Sequence, residues 1–193
     1  MTLSEKILLI LDLDETLIHA TKKDLGRMPD FKVFGYNIHK RPHLETFLNG
    51  IKDHFEIAVW SSASDDYVEG IVKIIFPYVE SLKFVWGRTR CTYRSNKFDE
   101  FKGEVDHVND FHYIKRLDKV KKRGQARMEK LLIVDDTPQK VKNSFGNAIY
   151  IKEFQGENED AELLHLLEYL LSIKDAENVR TIEKRFWRSG FGN

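Results

Sequence analysis

Short apolar runs punctuate this chain, and two of them stop abruptly at acidic residues. Ile7-Leu8-Leu9-Ile10-Leu11 leads straight into Asp12, and Leu131-Leu132-Ile133-Val134 leads into Asp135-Asp136. Runs of this length without polar alternation predict strands buried on both faces, as in a parallel sheet. Phe55 to Trp60, Phe84-Val85-Trp86 and Ala148-Ile149-Tyr150-Ile151 are three further predicted strands. Phe31 to Ile38 is rich in β-formers around Gly35 and predicts a hairpin. Helical spacing follows Pro42, with Leu44, Phe47, Leu48 and Ile51 on one face. Ser64 caps a second helix that carries Tyr67, Val68, Ile71, Ile74 and Ile75. Tyr113 to Val120 reads as the first turns of a helix, and Thr137-Pro138 as the cap and first position of another. Leu163, Leu164, Leu166, Leu167, Leu170 and Leu171 form an amphipathic helix, and Ala176 to Phe186 is read as one more. Strands alternating with helices predict an α/β fold with a mostly parallel sheet.

The expected organisation is one domain over residues 1–193, with a small β insert at 20–39, a polar loop insert at 88–112 and a C-terminal helix or tail at 175–193. A chain of 193 residues, 41% hydrophobic and 12% aromatic, has enough apolar surface for a real core and does not read as disordered. Its single cysteine, Cys91, excludes an internal disulfide and is read as a packing residue. The apolar runs are far too short to span a bilayer. The expectation is a soluble cytoplasmic protein, or a nuclear one in a eukaryote, without membrane association.

The 31 basic and 31 acidic residues cancel, which excludes a uniformly basic nucleic-acid binder. The balance is uneven, however. Residues 83–130 hold 14 Lys+Arg against 7 Asp+Glu, and the rest of the chain carries the compensating negative excess. Such a cluster is either solvated surface or a lip facing an anionic substrate.

The acid clusters carry the chemistry. In an open parallel sheet, ligands bind outside the carboxyl ends of the strands. Asp12, Asp14, Asp135 and Asp136 should therefore meet in one crevice, where they repel one another unless a cation joins them. Mg²⁺ suits hard oxygen ligands and commonly bridges carboxylates and phosphate. Asp12 and Asp14 leave the strand on one side with Leu13 between them. The peptide N–H groups of such a turn, that of Leu13 included, can face an anion.

Asp12-Leu13-Asp14-Glu15-Thr16 after an apolar strand resembles the DxDxT signature of haloacid-dehalogenase-type phosphotransferases. The chain is similar to one branch of them, the small C-terminal-domain phosphatases (NLI-interacting-factor-like, with the Dullard-like and TFIIF-associating enzymes). Lys40-Arg41-Pro42-His43, Arg88 with Cys91, Tyr113-Ile114-Lys115 and Leu132 to Pro138 resemble that branch's successive motifs in order. The resemblance implies a Rossmann-like parallel sheet with helices on both faces and a small β insert after the first strand. It implies a Mg²⁺-dependent phosphomonoesterase, resembling protein serine/threonine phosphatases. Asp12 would be the nucleophile, forming an aspartyl-phosphate, and Asp14 the general acid and base. Lys115 would neutralise the phosphoryl group and Asp12 together, with Arg116 or Lys97 as alternatives. Ser61, with the adjacent Ser62, would bind phosphate oxygens, Thr16 would fix the turn through its hydroxyl, and Arg88 would contact substrate. Mg²⁺ would be held by Asp12, the backbone carbonyl of Asp14, and Asp135 and Asp136, with the direct ligand of that pair left open. Asp136 stands where asparagine is common in the branch, and the stretch from Cys91 to Lys115, with Arg90, Arg94 and Lys97, is longer than the branch leads one to expect.

The expected partner is a phosphorylated substrate, foremost a phosphoprotein. Two other readings compete: a phosphatase for a nucleic-acid end or small metabolite, which the basic segment keeps open, and a non-catalytic phospho-binding module, against which Asp12, Asp14 and Lys115 all stand.

Overall fold

The computed structural model describes residues 5–95, 111–142 and 144–190. In chain order its strands and helices are β1 (Leu8–Leu11), β2 (Ile18–Thr21), β3 (Phe31–Val33), β4 (Tyr36–Lys40), α1 (Leu44–Ile51), β5 (Glu56–Trp60) and α2 (Asp65–Ile75). There follow β6 (Val85–Trp86), β7 (Thr92–Ser95), β8 (Phe111–Ile114), α3 (Asp118–Lys122), β9 (Leu131–Asp135), β10 (Ala148–Tyr150) and α4 (Glu162–Ile173). The central sheet runs β10-β9-β1-β5-β6, with every pairing parallel. β1 and β9 are neighbours in register, Leu11 opposite Val134, so both acid clusters leave the same edge side by side.

The apolar runs work because successive side chains alternate between the two faces. Leu9, Leu11, Ile57, Val59, Leu132 and Val134 pack against the buried stripes of α1, α2 and α4. Leu8, Ile10, Ala58, Trp60, Leu131 and Ile133 pack on the other face, where Leu117, Val120 and Val141 cover them. All strand positions in β1 and β9 are buried. Cys91 is buried in this second cluster, as a packing residue would be.

Between β1 and α1 the chain builds a three-stranded antiparallel sheet, β2-β4-β3. The β3–β4 hairpin turns at Phe34-Gly35, with φ of 49° and 79°. Two successive positive φ values match the right-handed twist of a hairpin, and Phe34 accepts a left-handed backbone to provide one of them.

Several expectations give way to longer-range pairing. Tyr113 and Ile114 belong to β8, not to a helix, because they pair antiparallel with Tyr93 and Thr92 of β7; the helix begins only at Asp118. The polar stretch 88–112 is accordingly not all loop, since β7 lies within it and β8 begins in it. Thr137-Pro138 starts only a single 3-10 turn, Pro138–Val141, and Thr137 donates its hydroxyl to Asp136 Oδ2 instead of capping. Ser64 precedes α2 with an extended backbone but makes no side-chain cap bond. Ala176 to Phe186 forms no helix beyond the 3-10 turn Val179–Thr181, because the Lys184 ammonium gathers the carbonyls of Val179 and Ile182.

Arg41, fully buried, ties three elements together. Its guanidinium donates to both oxygens of Asp160 (3.0 and 2.8 Å) and, through Nη1, to the Thr16 carbonyl at 3.1 Å. Asp160 Oδ1 also accepts the Glu162 N–H, at the start of α4. Asp160→Asn strands a buried charge and is expected to lower stability by about 3 kcal/mol, read as a fall in the urea midpoint. Burial alone would raise the Asp160 carboxyl, but the Arg41 hydrogen bonds and charge outweigh it and hold it below the ordinary value. Its contribution is therefore present above about pH 4 and lost as the pH falls through the lowered value.

Candidate active site

β1 delivers Asp12 into the crevice. The strand's hydrogen-bonding continues one residue past its end, Asp12 N–H donating to Val134 O at 3.1 Å. The chain then coils around one acceptor: the N–H groups of Thr16, Leu17 and Ile18 all reach the Leu13 carbonyl (3.2, 2.8 and 3.1 Å). Glu15 takes a left-handed φ of 60° to allow this. Leu13 sends its side chain into the core, and its N–H helps hold the Asp12 charge. Thr16 departs from expectation. Its buried hydroxyl has no hydrogen-bond partner among the described residues, and the turn is pinned by backbone bonds instead.

Asp12 and Asp135 share one cation. Lys115 Nζ, at the end of β8 and completely buried, lies 2.8 Å from Asp12 Oδ1 and 2.7 Å from Asp135 Oδ2. Burial pushes the Asp12 carboxyl up, but Lys115 and Lys140 overcome it and leave it below the usual carboxylate value. Asp135 stays above its usual value because burial and the Asp12 charge outweigh what Lys115 supplies. Lys115 itself is held charged: burial opposes this, and the two carboxylates prevail. Neither expected alternative takes its place. Arg116 bonds Asp118 on the surface, and Lys97 lies outside the described residues, as does most of the Cys91 to Lys115 stretch.

Asp14 has a different environment two residues on. Tyr67 of α2 donates to its Oδ1 at 2.7 Å, and Ser61, just past β5, donates to its Oδ2 at 3.2 Å. Burial raises the Asp14 carboxyl, and with the Asp12 charge it outweighs both hydrogen bonds. The crevice thus holds one carboxylate whose pKa is lowered and one whose pKa is raised, a division that suits a nucleophile beside a proton donor. Next to them, burial foremost pushes Glu15 up to about 8, and His19 is lowered by its own burial. His19 Nδ1 lies 2.9 Å from Glu15 Oε1.

One oxygen each from Asp12, Asp135 and Asp136 lies within 4.8 Å of the others. This set fits a hard divalent cation. Among the described residues, Asp136 Oδ1 is buried without a hydrogen-bond partner, whereas both oxygens of Asp135 are occupied, by Lys115 and by the Thr137 N–H. The Asp14 side chain is not in the set, being turned toward Tyr67 and Ser61.

Ser61 and Arg88 flank the crevice. Ser61 Oγ also accepts the Ala63 N–H, and Arg88 donates to the Ser62 carbonyl while lying 4.9 Å over the Tyr113 ring. A cleft of about 480 Å³ opens beside Asp14, lined by Phe34, Tyr36, Tyr67 and Arg88. Two residues escaped the sequence reading. Tyr67 was visible only as part of a buried helical stripe. Lys140 stands one turn after the acid pair and brings its Nζ to 3.5 Å from Asp12 Oδ2, a position that follows from the 3-10 turn and not from spacing alone.

A parallel sheet whose first strand ends in a DxDxT loop, with a buried lysine and a second acid pair facing it, defines a haloacid-dehalogenase-type phosphotransferase. A family model places it more narrowly: the chain belongs to the NLI interacting factor-like phosphatases, matched over residues 7–180. It is 30% identical over 184 residues to CTD small phosphatase-like protein 2 of Dictyostelium discoideum, covering 92% of this chain but only 29% of that protein. It is 28% identical to CTD nuclear envelope phosphatase 1B of Danio rerio, covering 92% of this chain and 71% of the relative. A structure of the fission yeast RNA polymerase II CTD phosphatase Fcp1 bound to beryllium fluoride shares the fold, with a TM-score of 0.52 at 18% identity, over 88% of this chain and 51% of that one. The relatives named for the nuclear envelope overturn the expectation of a cytoplasmic protein. Among the described residues, no helix is long and apolar enough to cross a membrane.

Tyr67→Phe removes the donor that favours the ionised form of Asp14. The Asp14 pKa is expected to rise, followed by carbon-13 NMR of its carboxyl; an unchanged value would show that the bond does not influence the acid.

Proposed function

We propose that this chain hydrolyses phosphomonoesters of proteins through an aspartyl-phosphate on Asp12, with Mg²⁺ as its divalent ion. The observation that carries this reading is the arrangement of Asp12, 2.8 Å from the buried Lys115 ammonium, beside Asp14, two residues away and hydrogen-bonded to Tyr67 and Ser61. Asp12 attacks phosphorus while Asp14 protonates the departing oxygen; Asp14 then takes a proton from the water that releases phosphate. Lys115 keeps Asp12 ionised and in place and offers positive charge to the phosphoryl oxygens. Ser61 orients Asp14 and turns its hydroxyl toward the same crevice. Arg88, anchored on the Ser62 carbonyl, stands at the cleft where substrate enters.

Asp12, the Asp14 backbone carbonyl and Asp136 would hold the Mg²⁺, with Asp136 preferred to Asp135 because no hydrogen bond among the described residues reaches its Oδ1. The ion would screen the repulsion between the anionic nucleophile and a dianionic ester. Phosphoproteins are the proposed substrates because the cleft beside Asp14 is open and carries aromatic surface for a peptide, and because relatives are named as CTD phosphatases. The relatives' names also support work at the nuclear envelope.

Hydrolysis of an aryl phosphate should require a divalent ion and be abolished by EDTA. Asp12→Asn should lower kcat by about 10⁴-fold or more, and Asp14→Asn by about 10²–10⁴-fold. Metal-independent turnover, or full activity of Asp12→Asn, would overturn the mechanism. Faster release of phosphate from a 5′-phosphorylated oligonucleotide than from phosphoserine peptides would overturn the substrate class.

A further inference from the structure

Beyond its charge beside Asp12, Lys140 takes no step in the phosphoryl transfer above, yet it stands among the groups assigned to the metal. Its Nζ lies 3.5 Å from Asp12 Oδ2 and 3.8 Å from Asp136 Oδ1. These are the two carboxylate oxygens of the cluster that nothing else claims: Lys115 lies against Asp12 Oδ1, the Thr137 hydroxyl bonds Asp136 Oδ2, and Asp135 is fully engaged.

The two lysines differ in how firmly they are held. Lys115 is completely enclosed and sits at 2.7 and 2.8 Å from its partners, the range of charge-assisted hydrogen bonds. The Lys140 side chain is 25% exposed and its contacts are longer. Its backbone is fixed, because its N–H donates to Thr137 O at 3.0 Å and its carbonyl accepts the Lys115 N–H at 2.8 Å. Only the flexible four-carbon stem needs to move for the ammonium to leave.

We propose that Lys140 is a built-in counter-ion that occupies Asp12 Oδ2 and Asp136 Oδ1 when metal is absent, and that a divalent cation binds only by displacing its ammonium. This rests on the reading that these carboxylates hold the ion, and adds to it that the chain competes with its own metal. In the metal-free protein the lysine relieves repulsion among three carboxylates. The same contacts weaken metal affinity, since their loss is charged against binding.

Isothermal titration of Mg²⁺ into metal-stripped protein, together with thermal midpoints with and without Mg²⁺, tests this on wild type, Lys140→Met, Lys140→Gln and Lys140→Arg. The neutral variants should bind Mg²⁺ at least about fivefold more tightly. Their metal-free midpoints should fall while their gain on adding Mg²⁺ grows. Lys140→Arg, which keeps the charge, should stay close to wild type. Unchanged or weaker Mg²⁺ binding by both folded neutral variants overturns the counter-ion proposal and leaves the metal reading standing. Absence of Mg²⁺ binding in every protein, wild type included, overturns both.

Discussion

The rest of the site depends on the repulsion among carboxylates carried to one sheet edge by β1 and β9. Two like charges about 4 Å apart cost about 4 kcal/mol at an effective dielectric of 20, which is a large share of the 5–15 kcal/mol by which a domain is typically stable. Adjacent parallel strands in register leave no way to separate Asp12 from Asp135. The chain answers with Lys115, which reaches in from β8 and lies within 2.8 Å of both. β8 is itself kept in place by its ladder with β7 and by the Lys115 N–H bond to the Lys140 carbonyl. The otherwise peripheral β7–β8 pair is thus the element that brings the necessary cation to a core edge.

The same constraint explains why Asp12 and Asp14 differ although they share a loop. Asp12 faces two lysines, so its anion is compensated. Asp14 faces hydroxyl donors from Tyr67 and Ser61, whose dipoles do not offset its burial and the charge of Asp12. Neither α2 nor β5 is near β1's acid in sequence; the parallel order β9-β1-β5 sets lysine and hydroxyls on opposite sides of the loop.

Much of this was legible in the residues. Apolar runs identified all five strands of the central sheet, and the abrupt acidic ends of two of them located Asp12, Asp14, Asp135 and Asp136. The β3–β4 hairpin was visible because Gly35 interrupts a β-rich stretch. What could not be read depended on distant partners or on side-chain direction. Tyr113 looks helical by local spacing, and only its pairing with Tyr93 makes it a strand residue. Tyr67 falls on a buried stripe, and nothing in its spacing says that its hydroxyl emerges beside Asp14. Thr16 matches the motif by position, yet the Leu13 carbonyl supplies the bonds expected of its hydroxyl. Lys140 was one basic residue among 31 until a 3-10 turn folded it back over the acids.

Preorganisation of the DxDxT loop follows from supports outside it. Its left-handed residue, Glu15, is a conformation that costs about 1 kcal/mol or more for a side chain with a Cβ, and an isolated loop would relax away from it. Here the Glu15 carbonyl accepts the Phe154 N–H at 2.8 Å, and the Thr16 carbonyl accepts Arg41 at 3.1 Å. Arg41 is in turn fixed by Asp160 at the head of α4. Phe154 and Asp160, both outside the acid cluster, therefore hold the backbone that places Asp12 and Asp14. A loop held from behind keeps its carboxylates in position, and among the described residues a cleft lined by Phe34, Tyr36 and Tyr67 opens beside them.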